Sequence, residues 1–216
     1  MEQLDEVRRV YDTAADKYAE KFAGELAHKP LDRVLLKRFA EDPPIEGQVA
    51  DIGCGCGHTT AHLKRLGVEE IIGYDLSPEM IETARRMNPG IAFETANMLK
   101  LVSGSESFSK ILCFYAIIHF TYEEISQAFS EFFRVLRQGG LLFFSFHVGN
   151  EVVEPEEFLG VQTDVKFYEL EVDAILEILV EIGFHIEDTI IRYPYTDYEY
   201  PSKRAYIFAR KPNFGF

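Results

Sequence analysis

Apolar residues along this chain follow two spacings, and their alternation predicts the order of its helices and strands. Leu4, Val7, Tyr11 and Tyr18 recur at the spacing of one helical face within about the first twenty positions. A second helix is predicted after Pro30, and from about residue 47 short apolar runs alternate with helical segments. Such alternation is typical of a doubly wound α/β sheet, with parallel strands and helices on both faces.

Seven apolar runs are predicted to be strands. Five alternate with helices and two close the chain around a tyrosine-rich turn, at residues 47–52, 70–75, 91–95, 110–115, 141–146, 184–191 and 204–209. The helix before the fifth strand carries Ile125, Phe129 and Phe132 on one face, and we expect Gly139-Gly140 to stop it. Ligands of such sheets bind beyond the carboxyl ends of the strands.

One stretch interrupts the alternation of strands and helices. Residues 148–168 contain several glutamates and are too polar and too long for an ordinary connection. We therefore predict a lid or a substrate insert there. The whole chain, residues 1–216, has the length of a single globular domain with a full core.

The charge balance argues against nucleic acid as a partner. The 22 basic and 36 acidic residues give a formal net charge of −14, and the resulting field repels a polyanion. No apolar run is long enough to span a bilayer, and the first residues lack a secretory pattern, so we expect a cytoplasmic protein without a membrane partner. The three cysteines have neither disulfide nor zinc spacing, and no metal site is predicted.

The candidate chemistry starts where the first strand ends. Asp51 is followed by glycines at every second position, Gly53, Gly55 and Gly57. Alternating glycines allow a sharp turn and let a ligand approach the main chain closely. A dinucleotide site would need a glycine at the sixth position of this motif, where the chain has His58.

The motif Asp-x-Gly-x-Gly-x-Gly, with Asp75 at the end of the second strand, resembles motif I and the following acid of class I S-adenosylmethionine (SAM)-dependent methyltransferases. The resemblance implies a Rossmann-like, seven-stranded, mostly parallel sheet with an antiparallel last strand. It also implies SAM as cofactor and S-adenosylhomocysteine as product. Carried over residue by residue, Gly53, Cys54 and Gly55 lie under the methionine part, Asp75 binds the ribose and Leu76 packs on the adenine.

Further cofactor contacts follow from the same resemblance. Asn97, beside Met98 after the third strand, stands where the family commonly has an aspartate for the adenine amino group, and its carbonyl can accept the same bond. Phe114, in the fourth strand, would lie near the methionine portion, whereas Ser109 replaces a common aspartate. Asp51 is either near the ligand's ammonium group or a buried acid that holds the turn.

The segment from Tyr11 to Tyr18 reads Tyr-Asp-x-x-Ala-x-x-Tyr and is similar to the N-terminal helix of small-molecule members of the family, which closes over SAM. The resemblance implies that residues 1–40 form a helical lid. The two tyrosines are seven apart and share one helix face, so their rings can attract the sulfonium cation. The alternative is that this face only packs on the sheet.

Methyl transfer needs an in-line approach, a dry pocket and a destination for the acceptor's proton. Candidate contacts with the acceptor are His119, His147, Tyr195 and Glu199, and His119 is the candidate catalytic residue. Each histidine can instead be a structural donor. Residues 192–199, followed by Arg204-Ala205-Tyr206, resemble the closing hairpin that lines the acceptor pocket in some members, although aromatic packing would leave the same pattern.

We therefore predict an enzyme that moves the methyl group of SAM to an O, N or C atom of a small-molecule acceptor. An NAD-dependent oxidoreductase is one alternative, against which His58 and the lack of a Tyr-x-x-x-Lys pair argue. A non-catalytic SAM-binding protein is another, since Asn97 and Ser109 depart from the family pattern. The acceptor, the number of methyl groups and the choice between monomer and homodimer stay open.

Overall fold

A computed structural model describes residues 2–43 and 45–213, so the predicted domain limits at residues 1 and 216 lie outside the described residues. The α-helices are α1 (Glu2–Phe22), α2 (Pro30–Glu41), α3 (His58–Arg65), α4 (Pro78–Met87), α5 (Tyr122–Val135) and α6 (Val172–Ile182). Short 3-10 helices cover Glu25–His28 and Ile117–His119. None of the helices in the described part of the chain combines the length and the apolar character needed to cross a membrane.

The strands are β1 (Gln48–Ile52), β2 (Ile71–Asp75), β3 (Ala92–Thr95), β4 (Phe108–Phe114), β5 (Leu136–Val148), β6 (Val152–Val153), β7 (Glu157–Phe158), β8 (Val161–Gln162), β9 (Phe167–Tyr168), β10 (His185–Arg192) and β11 (Lys203–Arg210). Seven of them form one sheet in the order β10-β11-β5-β4-β1-β2-β3. Only β11 runs antiparallel to its neighbours β10 and β5. The predicted doubly wound, mostly parallel sheet with an antiparallel last strand is confirmed.

The core lies on both faces of this sheet because the central strands alternate their side chains. In β4, Ile111 and Cys113 pack with the apolar faces of α5 and α6, whereas Leu112 and Phe114 pack with those of α2 and α3. Strands buried on both faces are near-continuously apolar, which explains the apolar run in β4. The strand order reverses between β1 and β4, and ligands bind at such a switch point.

The junction between α5 and β5 corrects the prediction that Gly139-Gly140 stops the helix. The helix ends at Val135, because Leu136 already has extended dihedrals (φ −70°, ψ 138°) and begins the strand. The β4–β5 register pairs Phe108 with Leu136 and then Lys110 with Leu141, so residues 137–140 oppose the single residue Ser109. Gly139, at φ +74°, therefore turns a bulge inside the strand.

The insert predicted at residues 148–168 contains four two-residue strands, paired as β6 with β9 and β7 with β8. It packs against α1, where Val161 and Val165 join an apolar cluster with Val7 and Val10. The Arg9 guanidinium also donates a 2.8 Å hydrogen bond to the carbonyl of Gln162. Helix α1 and the insert thus meet, and the role of either as a lid stays a prediction.

Candidate functional site

The turn after β1 has a backbone that favours glycine. Gly53, Gly55 and Gly57 have φ values of +79°, +52° and +77°, in the left-handed region that side chains disfavour. A Cβ atom at position 53 would lie 2.2 Å from the Cβ of Ala116, and one at position 55 would lie 3.2 Å from the ring of Tyr18. The turn therefore has no room for a side chain at position 53.

Asp75, at the end of β2, is bonded to this turn. Its carboxylate accepts 2.8 Å and 2.9 Å hydrogen bonds from the backbone N–H groups of Gly55 and Ser77. Burial raises the pKa of Asp75 to about 6. A carboxylate has about four lone-pair positions, so each oxygen keeps acceptor capacity for a ribose hydroxyl.

Asp51 lies fully buried beneath the turn. One carboxylate oxygen accepts hydrogen bonds from the hydroxyls of Thr59 and Thr60 at 2.7 Å and 2.6 Å, which joins β1 to the first turn of α3. The other oxygen is buried and has no partner among the described residues. Burial raises the pKa of Asp51. Asp51 is thus a buried acid that holds the turn, and it retains one unmet acceptor that an ammonium group would satisfy.

A cavity of about 570 Å³ lies over the carboxyl ends of β1, β4 and β5. Its wall contains seven of the residues predicted for the site, namely Tyr11, Tyr18, Gly53, Cys54, Phe114, His147 and Glu199. Eight others are outside the wall: Asp51, Gly55, Asp75, Leu76, Asn97, Met98, His119 and Tyr195. The cavity therefore reaches the methionine side of the predicted cofactor site and the predicted acceptor side, but not the ribose side.

Helix α1 covers the ribose side. Asp12 accepts a 2.6 Å hydrogen bond from the Ser77 hydroxyl, and Leu76 packs in the apolar cluster that includes Tyr11. The side-chain oxygen of Asn97 accepts a 2.9 Å bond from the Leu99 N–H. Met98 lies below the turn, with its Cε 3.6 Å from a Cβ built at Gly53.

Comparison with known proteins agrees with this geometry. Residues 49–140 match the family model described as "Methyltransferase domain". The demethylmenaquinone methyltransferase of Chlorobaculum parvum is 30% identical over 141 residues, which cover 62% of this chain and 56% of that protein. These matches support a methyltransferase domain of the class I SAM-dependent kind over residues 49–140. The chain spans little more than half the length of that relative.

Two solved structures show that the fold extends beyond the matched region. Magnesium protoporphyrin IX methyltransferase from Synechocystis, solved with bound SAM, is 20% identical, with a TM-score of 0.73 over 98% of each chain. A SAM-dependent methyltransferase from Methanosarcina mazei is 18% identical, with a TM-score of 0.71 over 82% of this chain and 97% of that one. At this identity the likeness shows the fold alone, and the bound SAM is a property of the Synechocystis protein.

His119 joins three segments of the chain. Its Nδ1 lies 3.0 Å from the carbonyl of Lys166, which requires a proton on that nitrogen, and its Nε2 accepts from the Tyr11 hydroxyl at 2.8 Å. Burial lowers the pKa of His119 to about 4. The imidazole is therefore neutral at pH 7. The lone pair on its Nε2 accepts the hydrogen bond from Tyr11 as long as Tyr11 stays in place.

The three other predicted acceptor contacts differ in their surroundings. His147 lines the cavity and bonds the Ser202 hydroxyl at 2.6 Å, and burial together with three nearby cations lowers its pKa to about 3. Burial disfavours ionised Glu199, but paired hydrogen bonds from Arg192 at 2.6 Å and 2.7 Å lower its pKa to about 2. Tyr195 points its hydroxyl at the Leu31 N–H, 3.3 Å away. His147 and Glu199 are both weak bases at neutral pH.

The cavity-wall residues absent from the predicted contacts include Glu25, Lys29, His58 and Arg204. Glu25 bonds Lys29 at 2.8 Å and His58 at 3.2 Å. Burial opposes the charged form of His58, but hydrogen bonds with Cys56 and Glu25 outweigh it and raise the pKa of His58 to about 9. No local pattern indicates Glu25 or Lys29, because the tertiary fold alone brings them to the cavity. The fourth, Arg204, lies in the hairpin that the sequence did associate with the acceptor pocket.

Proposed function

We propose that this chain binds SAM at the glycine turn and transfers its methyl group to an O, N or C atom of a small-molecule acceptor, releasing S-adenosylhomocysteine. The observation that carries the proposal is the pair of hydrogen bonds from Gly55 and Ser77 to Asp75, beside a cavity of about 570 Å³. These bonds hold the Asp75 carboxylate next to the glycine turn. SAM is a nucleoside that carries an amino acid, so it needs an acceptor for its ribose and a turn without side chains for its methionine portion.

The surrounding residues fit this ligand. Gly53 and Cys54 are on the cavity wall, where the methionine portion would lie, and Asp51 keeps one unmet acceptor oxygen for its ammonium group. The rings of Tyr11 and Tyr18 lie 5.8 Å apart on the same wall. Aromatic faces attract a cation such as a sulfonium.

When bound, SAM would supply a methyl group on a positively charged sulfur. A lone pair of the acceptor would form the new bond to the methyl carbon while the carbon–sulfur bond breaks, and the electrons of the broken bond would stay on sulfur. The chain's own contribution is orientation and the exclusion of water. Ten aromatic side chains line the cavity: Tyr11, Tyr18, Phe22, Phe114, Tyr115, Phe158, Phe167, Tyr168, Tyr198 and Tyr200. Because His147 and Glu199 are weak bases, an acceptor group that is already ionised suits this wall best.

Entry of the nucleoside requires helix α1 to move away from α4. The movement breaks the hydrogen bond between Asp12 and Ser77 and the one between Tyr11 and His119. This geometry supports a lid formed by residues 1–40. It also frees Nε2 of His119 in the open state, so a direct role for His119 is compatible only with a displaced Tyr11.

Two observations support a small-molecule acceptor. The formal net charge of −14 opposes nucleic acid. Demethylmenaquinone and magnesium protoporphyrin IX, which appear in the names of two similar proteins, are small molecules. Against NAD, the position that a dinucleotide motif reserves for glycine holds His58, hydrogen-bonded to Glu25. A cytoplasmic location remains part of the proposal.

Thermal melts with SAM, S-adenosylhomocysteine and NADH test the cofactor. A ligand at a hundredfold excess over its dissociation constant stabilises the protein by about 2.7 kcal/mol. We expect shifts with the first two ligands, their loss in Asp75→Ala, and their retention in the control Asp173→Ala, which changes an exposed acid of α6. A shift with NADH alone would reject the proposal. Release of S-adenosylhomocysteine across a metabolite panel then tests methyl transfer, and binding without release on any acceptor would favour a non-catalytic protein.

A further inference from the structure

Arg204 is a buried cation on the cavity wall whose hydrogen bonds are incomplete. The residue is 2% exposed and lines the cavity at the start of β11. Its Nη1 donates to the carbonyls of Tyr200, at 2.7 Å, and Ser202. The Nε–H is buried without an acceptor, and Nη2 makes no hydrogen bond to any described residue. Two donor groups of one guanidinium are thus unused.

Glu199, the nearest carboxylate, does not neutralise Arg204. Both Glu199 oxygens are hydrogen-bonded by Arg192, and one also accepts from the Tyr195 N–H at 2.7 Å. The Nε of Arg204 and the Nζ of Lys29 remain 3.5 Å and 3.7 Å from the same carboxylate, beyond good hydrogen-bond distance. A buried charge without a bonded counterion is costly, so the folded protein gains from an anion at this point.

Other donors and rings surround the guanidinium. His147 is the direct cross-strand partner of Arg204 between β5 and β11. Lys29 holds its Nζ 5.1 Å from the centre of the Tyr115 ring, and that ring lies 5.3 Å from His147. Glu169 also lines the cavity, but it forms no ion pair with Arg204 within 4.0 Å. We call Lys29, Tyr115, His147, Glu199 and Arg204 the arginine wall; all five line the cavity.

The arginine wall is separate from the methionine end of the cofactor site. In the sheet β11 is three strand steps from β1, through β5 and β4. Adjacent strands are about 4.8 Å apart, so Arg204 and the glycine turn are roughly 14 Å apart across the sheet. Arg204 therefore lies toward the opposite side of the cavity from Gly53 and Cys54, on which the methionine portion is proposed to lie.

We infer that the methyl acceptor is a carboxylic acid with an apolar, aromatic-sized body, and that its carboxylate binds the free donors of Arg204 beside Lys29. The inference rests on the proposed function, because it presupposes an acceptor in this cavity. Charge-assisted, bidentate bonds are the strong ones, and a guanidinium matches a carboxylate in shape. The aromatic wall then holds the rest of the molecule, and Arg204 acts as a specificity residue.

Calorimetry with probe acids tests the inference. Acetate, benzoate, phenylacetate and cinnamate are titrated into protein saturated with S-adenosylhomocysteine, each beside its uncharged amide and, for benzoate, beside benzylamine. We expect at least one carboxylate to bind about tenfold or more tightly than its amide, and Arg204→Gln to abolish that preference. Lys203→Gln is the matched control, since it removes one positive charge from the preceding, exposed position of the same strand.

The outcomes separate this inference from the proposed function. Arg204→Lys keeps the positive charge but loses the paired N–H donors of the guanidinium, so we expect it to recover part of the carboxylate preference. The unfolding transition of this variant shows whether the fold tolerates a change at position 204. If no carboxylate binds better than its amide, or if benzylamine binds best, the inference is wrong while binding of S-adenosylhomocysteine stands. If the acids bind only without S-adenosylhomocysteine, Arg204 serves the cofactor's carboxylate, and the acceptor assignment is again wrong.

Discussion

The glycine turn and the arginine wall form opposite sides of one cavity and are built in different ways. The glycine turn, with Asp51 and Asp75, comes from 25 consecutive positions, and main-chain N–H groups and threonine hydroxyls satisfy its carboxylates. The arginine wall takes residues from the N-cap of α2, the position after β4, strand β5 and the last hairpin, and charge holds it together.

This difference explains what each side can do. A binding site formed by the main chain depends on backbone dihedral angles and is little affected by most of the surrounding side chains. Such a site suits a cofactor that a whole family shares. A wall made of charges from four segments changes its preference with a single substitution. We therefore expect the acceptor specificity to lie on the arginine wall and the two sides to respond differently to mutation, pH and ligand.

The largest expected effect is on stability, from Glu199→Gln. Glu199 is paired with Arg192, and its carboxylate lies within 4.0 Å of two cations of the arginine wall, Lys29 and Arg204. Removing one partner of a buried ion pair costs about 3–5 kcal/mol, because the remaining charges stay buried. Urea unfolding at pH 7 measures the loss. The control Glu82→Gln breaks an exposed pair with Arg85 and should cost less than about 1 kcal/mol.

The pH dependence of that loss sharpens the test. The pKa of Glu199 is lowered from 4.5 to about 2, so its stabilising charge is fully present above pH 4.5 and is lost as pH falls toward 2. The difference between the wild type and Glu199→Gln should therefore shrink below pH 4.5. A constant difference down to pH 3 would show that Glu199 acts through packing.

The two sides also differ in how far sequence could predict them. Spacing and strand-end position indicated Asp51, Asp75 and the glycines, because these contacts depend on neighbours within one β-α-β unit formed by β1, α3 and β2. The same local logic gave the strands of the sheet, yet misassigned Gly139-Gly140, since a glycine pair serves a helix end and a bulge equally well.

Sequence could not predict the charge network, because its partners are far apart in the chain. Lys29 meets Glu199 from 170 positions away, and Arg192 meets Asp32 from 160. The candidate base His119 illustrates the same limit. Its residue type and its place after the fourth strand were visible, but its two partners, Tyr11 and Lys166, come from segments 108 and 47 residues distant.

The next effect in size concerns the glycine turn. In Gly53→Ala the new methyl group meets the Cβ of Ala116 at 2.2 Å, at a φ of +79°. Gly67→Ala is the matched control, because Gly67 has a φ of +95° but nothing within 4 Å of a built Cβ. The backbone strain should cost about 1–2 kcal/mol in both variants. The clash should lower the free energy of unfolding by about 1–3 kcal/mol more, and only at position 53.

Calorimetry with S-adenosylhomocysteine completes this prediction. We expect weakened binding in Gly53→Ala and unchanged binding in Gly67→Ala, while both proteins keep the carboxylate preference of the arginine wall. Equal destabilisation of the two variants would mean that Ala116 yields easily. Normal cofactor binding in Gly53→Ala would remove the turn from the proposed site.

The smallest expected effect is a pH dependence confined to the glycine side. Burial raises the pKa of Asp75 from 3.8 to about 6, whereas the ionised form accepts hydrogen bonds from ribose hydroxyls more strongly. Binding should therefore weaken as pH falls through 6. With a pKa of about 6 the ionised fraction at pH 5 is about one tenth of that at pH 7, so affinity for S-adenosylhomocysteine should fall about tenfold.

Asp75→Asn separates this titration from others in the protein. Its affinity should be low and nearly independent of pH between 5 and 7, since the amide does not titrate there. His119 and His147, with pKa values of about 4 and 3, stay largely neutral over the same range and contribute little. If the wild type shows no pH dependence while Asp75→Asn still binds weakly, the carboxylate is already ionised in the free protein. The open position of α1 would then be the dominant one in solution, because exposure of Asp75 to water removes the burial that raises its pKa.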